Sequence, residues 1–557
     1  MTTQANHKRN MRDAEIEVLN AEKWASLAWL NGMSYPGPEL VEDWKKVLFN
    51  QFHDTAAGSG IAVLYRDAQK DYDVVRWSTN EIDAKALDAV TERIDTAAAG
   101  KGGDSQAIVV FNPLGWARSG EVTVRLRGYP GGFSIRDPSS GEVYPSSVLA
   151  KDVRDGVEEF RVPVADVPAL GYRTLQVLAA GKGERGNQVK SITREVTDGF
   201  VLESDALRVV IDKQTGCVTS LYDKHSKFET LAEGACGNEL QAFRDTPKEY
   251  DAWNIDPGTL DRAPTLLTHA DKVERVGGNS VRVTRNWQSS TFVQTIALDA
   301  LEPQLDVDNE IDWHETHVLL KVAFPLSASG PFATYEIPYG TIERPTTRNN
   351  SWEKAQFEVS ALRWADLGDG KHGLSVINNS KYGYDAVGNV LRLSLLRSPT
   401  WPDPEADRGP HHFQYAIYPH AGTWKDALTV RRGYEFNYPL TAIVTRAHTG
   451  SLPTQYSFAS IAQENVVLTA VKKAEDASGL IFRVYEWAGK DSVVELHAPP
   501  GATGATVTNL METPEGGPIE PSNDIFRVPI HPYEILTIRV DYPHKEPDGK
   551  LRANAIQ

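Results

Sequence analysis

The chain has 557 residues, 41% of them hydrophobic and 24% charged, an ordinary globular composition with enough length for three or four domains. Lys and Arg number 58 against 75 Asp and Glu, a net charge of −17, which argues against nucleic acid or an anionic membrane surface as partner. There is no apolar run of membrane-spanning length, and the polar start Met1–Arg12 has no apolar stretch behind it, so a cytoplasmic chain without a membrane partner is expected.

The first hundred residues read as helix. Met11, Ala14, Val18, Ala21, Ala25 and Ala28 recur at spacings of three and four, which places them on one face. Asn31-Gly32 and Pro36-Gly37-Pro38 stop that helix. Leu40, Trp44, Val47 and Leu48 open a second stripe that runs into His53. A third pattern follows from Ile61, and a fourth, about residues 82–94, closes an antiparallel bundle. The stripe Met11–Ala28 is long for an edge helix and is expected to leave an apolar face exposed, with self-association into a homo-oligomer as the consequence.

Ala97-Ala98-Ala99-Gly100-Lys101-Gly102-Gly103 is a linker by composition, and after it the period changes to two. Val122, Val124 and Leu126 alternate with polar residues, as do Phe160, Val162 and Val164, then Tyr172, Thr174, Gln176 and Leu178. A second soft join lies at 179–183. Beyond it the pattern is strand, turn, strand, with Leu207–Asp212 before the turn Gln214-Thr215-Gly216, and Phe292, Gln294, Ile296 and Leu298 on one face. The fold class is therefore multidomain α then β: an N-terminal antiparallel helix bundle (1–100), a small β domain (107–180), a large β-sandwich domain (188–440) and a C-terminal β domain (441–557), mostly antiparallel.

Two cysteines, Cys217 and Cys236, are too few for a disulfide framework or a thiolate zinc site. A single bridge is one reading; unpaired buried thiols in a reducing compartment are the favoured one. No Gly-rich phosphate loop precedes a helix, and Gly-x-Ser-x-Gly is missing. Trp313-His314-Glu315-Thr316-His317 puts its histidines three apart in strand-like sequence, one short of the zinc-protease spacing, so a structural or surface role is expected. His411-His412, adjacent on a strand, point to opposite faces and are poorly placed to chelate one ion.

His53-Asp54 sits where a helix gives way to a Gly-containing turn. A histidine there can bind a metal through one ring nitrogen beside a carboxylate. By itself the pair is better explained as a cap or core feature, since a catalytic zinc takes three protein ligands and an open position.

The surrounding motifs change that reading. Ala5–Leu30, then Trp44-Lys45-Lys46-Val47-Leu48-Phe49-Asn50-Gln51-Phe52-His53-Asp54, then Val63-Leu64-Tyr65-Arg66-Asp67-Ala68, resemble the helix-bundle domain of family 38 α-mannosidases. Val110-Phe111-Asn112-Pro113-Leu114 resembles the start of that family's first β domain. Trp253-Asn254-Ile255-Asp256, Tyr335-Glu336-Ile337-Pro338-Tyr339-Gly340, Ile342-Glu343-Arg344-Pro345, Asn378–Asp385 and Leu395–Pro399 are similar to its large β domain. The ordered set extends over nearly the whole chain, with weak marks after about residue 440.

The resemblance implies a retaining, zinc-dependent hydrolase of terminal α-mannosides, with an α-mannoside or glycan as substrate. It implies that His53 is one protein ligand of Zn2+ and that Asp54 contacts the sugar. Such zinc use combines templating with charge stabilisation, and the retaining reaction uses two carboxyl groups close across the glycosidic bond. The other ligands, the nucleophile and the acid belong to a preceding α/β domain that no segment here resembles. No catalytic residue is therefore expected in this chain, which reads as a C-terminal fragment inactive without an N-terminal catalytic half, separately encoded or upstream of a mis-assigned start. The family's turn after the His-Asp pair is replaced by the looser Thr55-Ala56-Ala57-Gly58-Ser59-Gly60. Tyr382, Tyr384 and Asp385, with Lys381, are candidate substrate-binding residues, because aromatic faces stack on sugars and carboxylates bind hydroxyls; an ordinary hairpin with a packed Tyr is the other reading. Arg397 with Trp401 and Asp403 is a similar candidate group. The alternative for the whole chain is a non-catalytic carbohydrate-binding or scaffold protein built on β sandwiches.

Overall fold

The computed structural model describes residues 2–97, 106–127, 133–138, 140–141, 143–144, 147–152, 157–179, 192–476 and 478–543. Four helices open the chain: α1 (Ala5–Leu30), α2 (Gly37–Asn50), the four-residue α3 (His53–Ala56) and α4 (Ala62–Thr91). Gly32, at φ +102°, ends α1 in a left-handed cap, with the Met33 N–H returning to the Ala28 carbonyl. The third and fourth helical patterns are one 30-residue helix. No Gly or Pro interrupts 62–91, and the buried Thr79 hydroxyl is satisfied within the helix by donating back to the Val75 carbonyl.

Two expectations about the bundle are corrected. Ala14, Val18, Ala21, Ala25 and Ala28 are buried, so the stripe of α1 is core, not an exposed face. Apolar residues are exposed instead on α2 (Leu48, Phe49), just after it (Phe52) and on α4 (Val63, Leu64, Val74, Trp77); Leu48 does not belong to the buried stripe with Leu40 and Val47.

The chain divides into two compact units, and the division runs through the long helices. The first comprises Met1–Glu15, Lys45–Val74 and Lys190–Asn437; the second comprises Ile16–Trp44, Val75–Val189 and Tyr438–Gln557.

In the first unit every strand pair is antiparallel. A nine-stranded sheet has Leu305–Trp313, Gly409–Ala421 and His372–Asn378 at its centre. A six-stranded sheet centres on Val318–Pro325 and Val390–Arg397, and a five-stranded sheet on Leu207–Asp212. The two-residue alternation holds: Phe292, Gln294, Ile296 and Leu298 all turn inward on Ser290–Leu298. Buried Gln294 is satisfied by Asn309, Tyr415 and Arg285, which is what lets a polar side chain share the core with Phe292 and Trp313. Two short helices, α5 (Ser351–Lys354) and α6 (Thr429–Asn437), interrupt the strands.

Cys217 and Cys236 are joined in a disulfide with Cα atoms 5.1 Å apart. This corrects the expectation of free thiols. The Val218–Gly237 bridge places the two segments side by side, a register that residue counting does not reveal, and it removes the thiol argument for a reducing compartment.

In the second unit, Gln106–Asn112 is hydrogen-bonded on both edges, to Gly171–Ala179 and to Thr441–Arg446. Its run Ala-Ile-Val-Val-Phe is apolar without alternation because both faces are covered: Ile108 and Val110 pack with Val122, Val162 and Leu175, whereas Val109 and Phe111 pack with Trp24, Leu468 and Phe482. A five-stranded sheet ordered through Gly479–Glu486 and Ile535–Asp541 completes this unit with two three-stranded sheets. Among the described residues no helix is long and apolar enough to cross a membrane.

Candidate functional site

The Asn50-Gln51-Phe52 lead-in is built to present the His53-Asp54 pair. Asn50 is buried, and its amide donates to the Lys46 carbonyl (2.9 Å) and to Asp71 (3.1 Å), which also pairs with Lys46 at 2.7 Å. That anchors the end of α2 to α4. Phe52 precedes α3 at φ −54° and ψ 143°, outside helical geometry, and supplies no side-chain cap. The side chains of His53 and Asp54 are 78% and 59% exposed, with Nε2 3.6 Å from Oδ2 and the His53 ring against Phe52 at 4.3 Å.

The turn behind them, expected to be loose, is tethered. Gly58 sits at φ +84°, and a Cβ there would meet the Thr3 carbonyl oxygen at 2.3 Å. Lys8 donates to the carbonyls of Thr3 (2.6 Å) and Ala57 (3.1 Å), and the Tyr65 hydroxyl accepts the Gly60 N–H at 2.8 Å. Burial pushes the Tyr65 phenol up to about 12, and the nearby charges of Asp403, Asp407 and Asp54 add to the shift. One tyrosine thus has Asp54 and Asp403, about 350 residues apart in sequence, both within electrostatic reach.

Beneath the turn lies a buried ionisable cluster that sequence reading missed. Asp407 accepts the backbone N–H groups of Gln4 and Ala5. Burial raises its carboxyl to about 6, although those donors and Lys8 pull the other way. Burial lowers Lys8 to about 8, Lys381 to about 7, and His7 and His411 to about 4. Only tertiary structure assembles this set, since its members come from both ends of the unit.

The other sequence candidates are held by contacts of their own. Tyr382 stacks under Arg12, whose Nε donates to its hydroxyl at 3.1 Å. Tyr384 is fully buried and accepts from Asn378. Asp385 is buried between Lys321 and Arg392; burial alone would raise its carboxyl, but the two cations outweigh it and hold it below the ordinary range. These contacts hold a sheet together and leave neither Tyr384 nor Asp385 open to a ligand, so the sugar-lining reading of these two is corrected. Arg397 is buried against Asp245 at 2.6 Å, Asp403 accepts from Gln4 at 2.8 Å, and Trp401 is exposed.

The histidine-rich motifs are structural. His314 pairs with Asp312, His317 with Asp251, and buried Glu315 accepts from Ser289 and Ser290. His411 is buried and His412 faces out, on opposite sides of one strand. Among the described residues no group of three or more His, Cys, Asp or Glu could hold a metal ion. His53 offers one imidazole, with the Asp54 carboxylate beside it.

Three family descriptions match the sequence and together cover more than half of it: "Alpha mannosidase middle domain" over residues 1–90, "Glycosyl hydrolases family 38 C-terminal domain" over 202–405, and "Glycosyl hydrolases family 38 C-terminal beta sandwich domain" over 465–538. The chain is similar to mouse alpha-mannosidase 2C1, 32% identical over 92% of this chain and 46% of that protein. It is also similar to Dictyostelium discoideum alpha-mannosidase G, 27% identical over 97% of this chain and 51% of the relative. It thus spans about half the length of the curated relatives it matches. The crystal structure of an alpha-mannosidase from Enterococcus faecalis has the same fold, with a TM-score of 0.81 at 18% identity, over 97% of this chain and 67% of that one. The chain belongs to glycosyl hydrolase family 38, of which it carries a C-terminal portion: the α-mannosidase middle domain and the β domains that follow it.

Proposed function

We propose that this chain supplies one side of a retaining, zinc-dependent α-mannosidase site and does not hydrolyse mannosides by itself. His53 is one protein ligand of the metal and Asp54 contacts the sugar; the remaining ligands, the nucleophile and the acid come from a further catalytic half. The observation that carries this reading is the outward presentation of His53 and Asp54 on a short, tethered turn, with no other metal donors gathered around them among the described residues. A bound zinc there supplies orientation of sugar hydroxyls and charge stabilisation. The chain's own part is to hold the imidazole and the carboxylate in place, through Asn50, Lys8 and Gly58.

The test is direct. The purified chain is assayed with an aryl α-mannoside and zinc, alone and mixed with the N-terminal half of a full-length relative. No turnover alone, turnover on mixing, and its loss in His53→Ala are expected. Metal-dependent turnover by the chain alone overturns the proposal.

A further inference from the structure

The first unit carries three exposed aromatic rings in a row, with Trp253 in contact with both Tyr250 and Trp401. Trp253 and Trp401 are 48% and 55% exposed, with ring centres 5.3 Å apart and planes tilted by 40°. Tyr250 meets Trp253 edge-on at 6.3 Å. Leaving two indoles in water forgoes the burial that makes aromatic residues favourable in a core, so their exposure as a group marks a recognition surface.

The rings are fixed from below rather than by one another. The N–H groups of Trp253 and Asn254 both donate to the Tyr250 carbonyl at 2.9 Å. Arg397, itself buried, donates to the carbonyls of Asp251 (2.7 Å), Ala252 (2.9 Å) and Asn254, while its Nε is held by Asp245. The Asp251 carboxylate accepts the Thr400 N–H at 2.7 Å, so the turn under Trp253 also holds the residue before Trp401. A surface ordered in this way loses little entropy when it binds.

The same segment that tethers α3 tethers this platform. Thr3 accepts from Arg397 through its hydroxyl (3.3 Å) and from Lys8 through its carbonyl (2.6 Å), and Lys8 also reaches Ala57, the residue after α3. Gln4 donates to Asp403, two residues beyond Trp401. The His53–Asp54 turn and the indole pair thus stand on one short stretch, Thr3–Lys8.

We propose that Tyr250, Trp253 and Trp401 form a saccharide-stacking platform for the pyranose adjoining the mannose at His53–Asp54, so that the ligand class is an α-mannosyl oligosaccharide rather than a simple mannoside. The placement beside that mannose rests on the function proposed above. Two aspects of the surface select a sugar. The π-faces attract polarised C–H groups, which one face of a pyranose presents. The flanking Lys248, Glu249, Asn254, Glu405 and Arg408 are exposed and suit the hydroxyl edge. Three rings bounded by charge are also too small a patch for a protein interface, which takes some 20–30 residues a side.

The experiment titrates the purified chain with methyl α-mannoside and with α-linked mannotriose, by calorimetry and saturation-transfer difference NMR. Mannotriose binds more tightly, and Trp253→Ala and Trp401→Ala each weaken it by about tenfold or more, to the level of methyl α-mannoside. Trp253→Phe restores part of the affinity, and Trp352→Ala, at an 82% exposed tryptophan on α5, changes nothing. Equal affinity for the two sugars, or mannotriose binding unchanged in Trp253→Ala, Trp253→Phe and Trp401→Ala chains with the native circular dichroism spectrum, overturns the platform. So does tryptophan-dependent self-association in sedimentation without sugar binding. The two readings fail separately: tryptophan-dependent mannotriose binding with no activity on mixing sinks the enzymatic half-site alone, and activity on mixing with tryptophan-independent binding sinks the platform alone.

Discussion

Asp407 caps the first helix from the far end of the first unit, its two carboxylate oxygens accepting the N–H groups of Gln4 (2.7 Å) and Ala5 (2.6 Å). It serves as the N-cap that the local sequence lacks, and it sets negative charge at the positive end of α1. Asp407→Ala should therefore cost about 1–2 kcal/mol in urea unfolding, with Asp407→Asn in between. An unchanged midpoint would show that the cap is idle.

The same cluster makes stability depend on pH. His7, buried against Tyr65 and Tyr72 beside Lys8, falls from 6.5 to about 4. A histidine depressed on folding contributes stability that is present above its unfolded value and is lost as pH falls through its folded value. His7 therefore destabilises the chain between about pH 6.5 and 4, by up to roughly 3 kcal/mol, and His411 acts in the same window. Asp407 has the opposite form: its carboxyl is raised from 3.8 to about 6, so its contribution is present below 3.8 and is lost as pH rises through 6. His7→Phe should flatten the acid limb measured from pH 7 to 4, and Asp407→Asn should steepen it.

Asp385 and Lys321 test whether a carboxylate in a family motif is structural. Both side chains are completely buried and paired, and Arg392 adds a second cation. Asp385→Ala leaves Lys321 buried with Glu358 as its remaining partner and should cost about 3–5 kcal/mol, read by denaturant midpoint. Lys321→Ala should cost a similar amount. Sugar affinity of the residual folded fraction should not change, whereas a direct substrate contact would show the reverse: lost affinity at native stability.

Much of this was legible in sequence because it is local. The period of 3.6 before residue 97 and of two after 106 gave the order of helices and strands, and Gly32 and Pro36 marked a real break. What failed is what depends on partners distant in sequence. The stripe of α1 reads identically whether a neighbour covers it or not, and only the fold shows Val18 and Ala25 buried. The motif around Asn378–Asp385 reads as a sugar-lining loop, whereas Tyr384 and Asp385 are buried, because a buried ion pair and a ligand contact use the same residue types. His53 stood out through its lead-in, but of the anchors that place it Thr3 lies outside the family motifs, and Lys8 shows its part only through its contacts with Thr3 and Ala57.

Gly58 and His53 separate placement from chemistry. Gly58→Ala forces a side chain into a left-handed conformation and against the Thr3 carbonyl, and should cost more than about 1 kcal/mol. His53→Ala, on an exposed side chain, should stay within about 0.5 kcal/mol of the parent. In the mixed assay with a catalytic half the two should converge, Gly58→Ala because the imidazole is displaced and His53→Ala because it is gone. Full activity in Gly58→Ala would mean that the tether does not position His53.

The Cys217–Cys236 bridge closes a loop with a sequence separation of 19 residues. Crosslinks of that span restrict the unfolded chain by about 3 kcal/mol in the loop-entropy model. The bridged segments also feed the core, since Val218 and Leu221 on one side and Leu240 on the other pack in the same cluster. A reductant should therefore lower the melting temperature of the parent and leave a Cys217→Ser, Cys236→Ser double variant unmoved, with the variant melting near the reduced parent. If the parent melts alike with and without reductant and titrates two free thiols before heating, the cysteines are not joined in the folded chain, and the reducing-compartment reading returns.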